Sequence, residues 1–125
     1  MSELLFTYTR AQALADGFQV DVTTTAQEAG IKVPVFITRG VYSQYVQVPA
    51  DVTGQDERGR LWDIVWMMRH AIRRAQPGRV RLPVLLYVRN SDRLPARLTK
   101  LIAMVGPVDI DNPAPAITVM LPDED

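Results

Sequence analysis

The sequence predicts an α+β fold, in which short N-terminal helices and one long amphipathic helix pack on a three-stranded antiparallel C-terminal meander. Two observations carry that expectation. Apolar residues keep a helical period from Asp56 to Ala75, and after Gln76-Pro77-Gly78 the chain changes to three runs rich in branched residues, separated by short turn signals. Helices come first and strands last, so the long helix is expected to roof one face of the sheet.

At the N-terminal end, Leu4 to Tyr8 reads as a short strand or extended arm. Thr9 offers an N-cap for a brief helix, Arg10 to Ala15, which Gly17 closes. Phe18, Val20 and Val22 alternate with Gln19 and Asp21, the period of a short half-buried strand or extended link. Thr23 to Thr25 can cap a second short helix through Ala29, with Gly30 as its stop. Val33 to Val48 fits either period. Pro34 can open a helix, and a helix from about Thr38 to Val46 is the favoured reading, with Val41 and Tyr45 inward, Gly40 allowing a close neighbour and Pro49 ending it.

The long helix follows a loop from Ala50 to Gly54, with Thr53 or Asp56 as its cap and Asp56 and Glu57 near its positive end. Leu61, Ile64, Val65, Met68, Ala71, Ile72 and Ala75 share one face; Arg60, Asp63, Met67, His70 and Arg74 fall opposite. Trp62 and Trp66, one turn apart, widen the apolar stripe and are expected to bury under the sheet. Val80 to Arg89 is the first strand of the meander, and Pro83 within it marks an edge or a bulge, because proline has no ladder donor. Leu98 to Val105 makes the second strand, ending at Gly106 and Pro107, and Ala116 to Leu121 the third.

Composition bounds the chemistry. The 125 residues, 47% of them hydrophobic, suffice for a single globular domain, 1–125, that needs no metal or disulfide to hold its core. With no cysteine, disulfide frameworks, thiolate metal sites and cysteine nucleophiles are excluded together. No apolar run reaches the roughly 20 residues that span a bilayer, and the start, MSELLFTYTR, lacks a secretion signal, so a cytoplasmic location is expected. Net charge is zero, which argues against a mimic of nucleic-acid phosphates. Its distribution is uneven: Arg69, Arg73, Arg74, Arg79, Arg81, Arg89, Arg93, Arg97 and Lys100 face only Asp92 across that segment.

No enzyme signature is present: no GxSxG, phosphate-cradling glycine loop, HExxH or dinucleotide fingerprint. The lone histidine, His70, would need a carboxylate such as Asp63 or Asp92 brought to it by the fold. Asp109 with Asp111, and the Asp123 to Asp125 tail, lack the spacing of a calcium loop and read as turn chemistry. No catalytic residue, metal or cofactor is therefore assigned. The candidate binding residues are Arg69, Arg73, Arg74, Arg79, Arg81, Tyr87 and Arg89, a basic set with one aromatic on a strand. Tyr42, Tyr45 or Trp62 beside exposed arginines would suit a protein contact, and the same aromatics would equally suit the core.

Four stretches, FTYTRAQALADG (Phe6 to Gly17), GQDERGRLWDIVWMMRHAIRR (Gly54 to Arg74), YVRN (Tyr87 to Asn90) and ITVMLPDED (Ile117 to Asp125), resemble in the same order a family of small bacterial proteins with a domain of unknown function. That family is met on plasmids, integrative conjugative elements and phages. The chain departs from its pattern near Pro83 and Pro95. The resemblance implies an accessory protein of mobile DNA and transfers no functional residue. The resulting expectation is a non-enzymatic protein that binds a host or element-encoded protein, for instance as an inhibitor of a defence system of the anti-CRISPR or anti-restriction type. The alternative is a nucleic-acid-binding module using residues 69–100. Exposed sheet edges add a homodimer to the expected assemblies, and no membrane partner is expected.

Overall fold

A computed structural model describes residues 8–124. The chain forms α1 (Arg10–Ala15), β1 (Gln19–Asp21), α2 (Thr23–Glu28), β2 (Val35–Thr38), α3 (Arg39–Val41) running into a π-helical turn (Tyr42–Val46), then α4 (Glu57–Arg74), β3 (Arg81–Val88), β4 (Arg97–Asp109) and β5 (Asn112–Met120), ending in a 3-10 turn (Pro122–Glu124). It is an α+β fold with one long helix, but the sheet has five strands in the order β1-β2-β5-β4-β3. The β3-β4-β5 meander is antiparallel as expected; β2 adds to it in parallel with β5, and β1 closes the far side antiparallel to β2.

The separation into helices first and sheet last therefore fails. Strand β2 was hidden because Val35, Phe36 and Ile37 are all buried, and a short strand covered on both faces shows no alternation. Pro34 precedes that strand instead of opening a helix, and its carbonyl accepts a hydrogen bond from the Ile117 N–H at 2.9 Å. The expected helix forms over residues 39–46, with the Thr38 side chain as its cap and a π-helical second half. Gly40 does admit a close neighbour: a Cβ there would meet Leu121 Cδ1 at 2.8 Å.

Strands β4 and β5 run further than the apolar pattern indicates, because Gly106, Pro107, Pro113 and Pro115 read as turn punctuation. They instead continue a hairpin in which Pro107 faces Pro115, beyond the reach of β2, where missing N–H donors cost no pairing with it. The N-terminal elements match their local chemistry more closely. Thr9 and Gln12 form a capping box on α1, and Gly17 is left-handed at φ 79°. The expected arm from Leu4 falls outside the described residues up to Tyr8.

Helix α4 starts at Asp56, whose side chain accepts from the Gly59 N–H, and puts Arg73 and Arg74 at its negative C-terminal end. Its inner face sets Ile64, Val65 and Met68 against Leu82, Val84, Leu86, Leu101, Ala103, Ile117 and Val119. Full burial of each large apolar side chain there contributes about 1.5–3 kcal/mol before entropy is counted. On the opposite face of the sheet Phe36 and Ile102 are buried. There the Arg10 guanidinium lies 4.1 Å over the Phe36 ring and donates to Gln19, Thr118 and the Pro107 and Val108 carbonyls. No helix among the described residues is long and apolar enough to cross a membrane.

Candidate functional site

Strand β3 is the last strand of the sheet, and α4 lies along it. Its burial alternates strictly, with Leu82, Val84 and Leu86 under the helix and Arg81, Pro83, Leu85 and Tyr87 turned away. Pro83 sits opposite Ile102 with no break in register, so it marks an edge and not a bulge. Between the outer flank of α4 and this edge run three adjoining hollows of about 450, 370 and 290 Å³. The first two share Met67 and Leu85, and the last two share Asp63, Leu86 and Tyr87, so they form one trough following the strand for about 25 Å.

The middle of the trough is apolar. Trp66 and Met67 form the helix wall, and Leu85, Tyr87 and Leu98 the sheet wall. Tyr87 and Leu98 are register partners yet remain 70% and 60% exposed, and Leu85 is 50% exposed, so a large apolar surface stands in water. Trp66, expected in the core, is 36% exposed. It stands in an aromatic ladder along the helix flank, stacked on Trp62 at 5.7 Å and meeting His70 edge-on at 5.4 Å, while Arg69 lies 4.9 Å from its ring centre. The four-residue spacing of Trp62, Trp66 and His70 puts them on one line of the helix, to the side of the stripe that enters the core.

Both ends of the trough are charged. At the start of β3, His70, Arg74 and Arg79 line the first hollow. At its finish, Tyr45, Arg60, Asp63 and Arg89 line the third. Arg60, expected on the wet side of α4, is 5% exposed. Its guanidinium donates to the Tyr45 carbonyl at 3.0 Å, Gln55 Oε1 at 2.9 Å, the Arg89 carbonyl at 2.9 Å, Asn90 Oδ1 at 2.6 Å and the Gln44 carbonyl at 3.5 Å. It thereby ties the π turn and the end of β3 to α4 and holds one end of the trough in place. The signal was present: position 60 lies four residues before Ile64, in line with the buried stripe.

Burial pushes the Arg60 guanidinium below its usual pKa, an effect that nearby Asp63 opposes. Desolvation raises the Asp63 carboxyl, with Arg60 pulling the other way. The sequence-derived basic residues do not form one face. Arg74 and Arg79 meet at one end of the trough, Tyr87 lines its middle and Arg89 lies at the other end; Arg69 packs between Trp66 and Gly30, Arg73 is exposed on the last turn of α4, and Arg81 projects from the sheet side away from the helix.

The acidic groups considered for His70 are occupied or distant. Asp92 accepts from the Thr53 N–H and hydroxyl, and Asp63 lies two helical turns away along α4. Asp109 is a structural anchor: it accepts from the Arg10 and Ala11 N–H groups at 2.9 and 3.0 Å, capping α1 from across the sheet. Glu124 in the terminal turn accepts from the Thr38 hydroxyl and the Leu121 N–H. Tyr42 is half-buried and donates to Glu57. Among the described residues, no three His, Cys, Asp or Glu side chains gather to hold a metal ion.

The model of a family of unknown function, DUF6573, matches residues 1–125 of the chain. The chain belongs to that family. No curated protein and no solved structure matches the chain. Membership in DUF6573 assigns no activity or residue role, so the function must be argued from the trough itself.

Proposed function

We propose that the protein works by binding another protein in the trough between α4 and β3. The observation that carries this reading is the open apolar surface of Trp66, Leu85, Tyr87 and Leu98, bracketed at its two ends by Arg74 with Arg79 and by Arg89. An exposed tryptophan and tyrosine beside arginines have the composition of residues that dominate protein interfaces. The middle of the trough is apolar, whereas a nucleic-acid track needs closely spaced cations along a backbone. The scatter of Arg69, Arg73 and Arg81 away from it favours the protein partner. Given the mobile-element setting that the sequence resemblance implies, we expect a host or element-encoded partner in a bacterial cytoplasm, with inhibition of a defence system one form such binding takes.

Affinity capture from a bacterial lysate tests this when the wild type is compared with Trp66→Ala and Leu98→Ser. Both variants should retain the fold and lose captured partner by about tenfold or more, as expected for central interface residues. Equal capture by wild type and both variants would discard the trough as the binding surface. Binding to single-stranded DNA or RNA that is tight at low salt and falls steeply with added salt would replace this reading with the nucleic-acid one.

A further inference from the structure

We infer that the trough takes an extended, acidic and apolar segment of the partner as a sixth strand on the outer edge of β3; this rests on the reading of the trough as a protein-binding site. The ladder between β3 and β4 fixes which groups on β3 point outward. The Val105 N–H donates to the Val80 carbonyl at 2.8 Å, and the register that sets Arg81 opposite Met104 sets Val80 opposite Val105. In an antiparallel pair, bonded and non-bonded positions alternate. Leu82, Val84, Leu86 and Val88 therefore turn their backbone groups to β4, and Pro83, Leu85 and Tyr87 turn theirs outward.

Pro83 thus falls where its missing N–H costs the sheet nothing, while Leu85 and Tyr87 keep outward N–H groups, with no strand beside them among the described residues. A strand added there would sit roughly 4.8 Å from β3, at the foot of the wall made by Trp66 and Met67. Its side chains would alternate between that wall and the face that carries Leu85, Tyr87 and, opposite Leu85, Lys100. Apolar residues suit the first set of positions and acidic residues the second. Arg74 and Arg79 at one end add to the preference for negative charge, while at the other end Arg89 stands beside Asp63, so the acidic positions belong toward the start of β3. Backbone pairing of this kind supplies affinity, and side-chain pockets supply choice.

A second copy of this chain fits the same edge poorly. Two β3 strands paired with each other would bring like-charged arginines together and would meet Pro83 twice, losing a ladder donor from each copy.

Selection from a display library of random peptides about ten residues long, enough to span β3, gives the probe for the test. Enriched peptides should alternate apolar and acidic residues. A selected peptide should slow amide hydrogen exchange at Leu85 and Tyr87 by about tenfold or more. N-methylation of the peptide at alternate residues in one phase should abolish binding, and in the other phase should spare it. Peptides that bind equally when methylated in either phase, or leave the Leu85 and Tyr87 amides unchanged, would overturn strand addition, as would failure to enrich any peptide. In each of those cases, loss of partner capture on Trp66→Ala would leave the protein-binding reading standing, and unchanged capture would remove it too. Slowing of the same two amides in free protein as its concentration rises would assign the edge to a second copy and also overturn the inference.

Discussion

The two edges of the sheet are built to opposite ends. Strand β1 is three residues long, and hydrogen bonds from the Val22 N–H to Val35 and from the Arg39 N–H to Phe18 close its ends. Its outermost acid, Asp21, is turned back onto the Thr23 N–H. Short length and an inward-tied charge leave little for another chain to pair with. Strand β3 spans eight residues, sits beside an exposed tryptophan and carries Leu85 and Tyr87 in water. Pro83 removes one ladder donor from it, and Arg81 adds a charge at its start. A long edge next to an apolar hollow has the physical character of a surface open to pairing, and that contrast is what supports placing the proposed partner at β3.

The largest effect that sharpens this contrast is at Arg60, the residue that fixes the β3 side. Arg60→Ala removes its five donated bonds, to acceptors that are partly buried at most, and empties a buried position, so it should cost about 3 kcal/mol in chemical denaturation. Arg60→Lys should recover only part, because lysine lacks the planar fork. A loss below about 1 kcal/mol for Arg60→Ala would show that the trough end is held by other contacts. Next comes a pair on β4. Leu101 is fully buried beneath α4 and Leu98, three residues earlier, is 60% exposed at the trough. Leu101→Ala should cost about 3 kcal/mol and Leu98→Ala less than about 0.5 kcal/mol. Similar losses at both would mean that Leu98 is part of the core and that the apolar surface is not available to a partner.

Pro83→Thr restores an outward N–H on the open edge. It should change stability by less than about 0.5 kcal/mol and make the protein self-associate with concentration in sedimentation runs. A variant that stays as monomeric as the wild type would weaken the case that Pro83 guards this edge. The smallest effect is one of pH on the opposite side of the molecule. Hydrogen bonds from the Ile110, Arg10 and Ala11 N–H groups, with the Arg10 charge, hold the Asp109 carboxyl below its usual 3.8. A lowered folded-state pKa gives stability that is present above the unfolded value and is lost as pH falls from 3.8 through the folded value. Asp109→Asn should flatten that part of the acid unfolding curve; an unchanged curve would show that the cap contributes no linked stability.

Much of the molecule was legible where local chemistry decides the outcome. The Thr9 cap, the bounds of α1, the long helix beginning at Asp56, and the strand character of Val80 to Arg89 all follow from caps, periods and turn residues acting within a few positions. Strand β2 was not legible, because its place is decided by Ile117 and Val119, about eighty residues away, and its own residues carry no period. The candidate site was half legible. Tyr87, Arg74, Arg79 and Arg89 were found from composition, and the structure brings them to one trough, but Arg69, Arg73 and Arg81 point elsewhere. Leu85 and Leu98 were missed as surface residues, since an apolar residue on an alternating strand normally faces inward. Tryptophan's size predicts burial at Trp66, whereas its position one step off the Ile64-Met68 line leaves it on the flank.

The contrast between the edges is tested most directly by placing a photoreactive amino acid at Leu98, beside β3, and in a separate protein at Asp21, on β1, and illuminating each in bacterial lysate. A discrete cross-linked protein from the Leu98 position, absent from the Asp21 position and suppressed by Trp66→Ala, is the predicted result. Cross-linking from Asp21 but not from Leu98 would contradict the assignment of the trough.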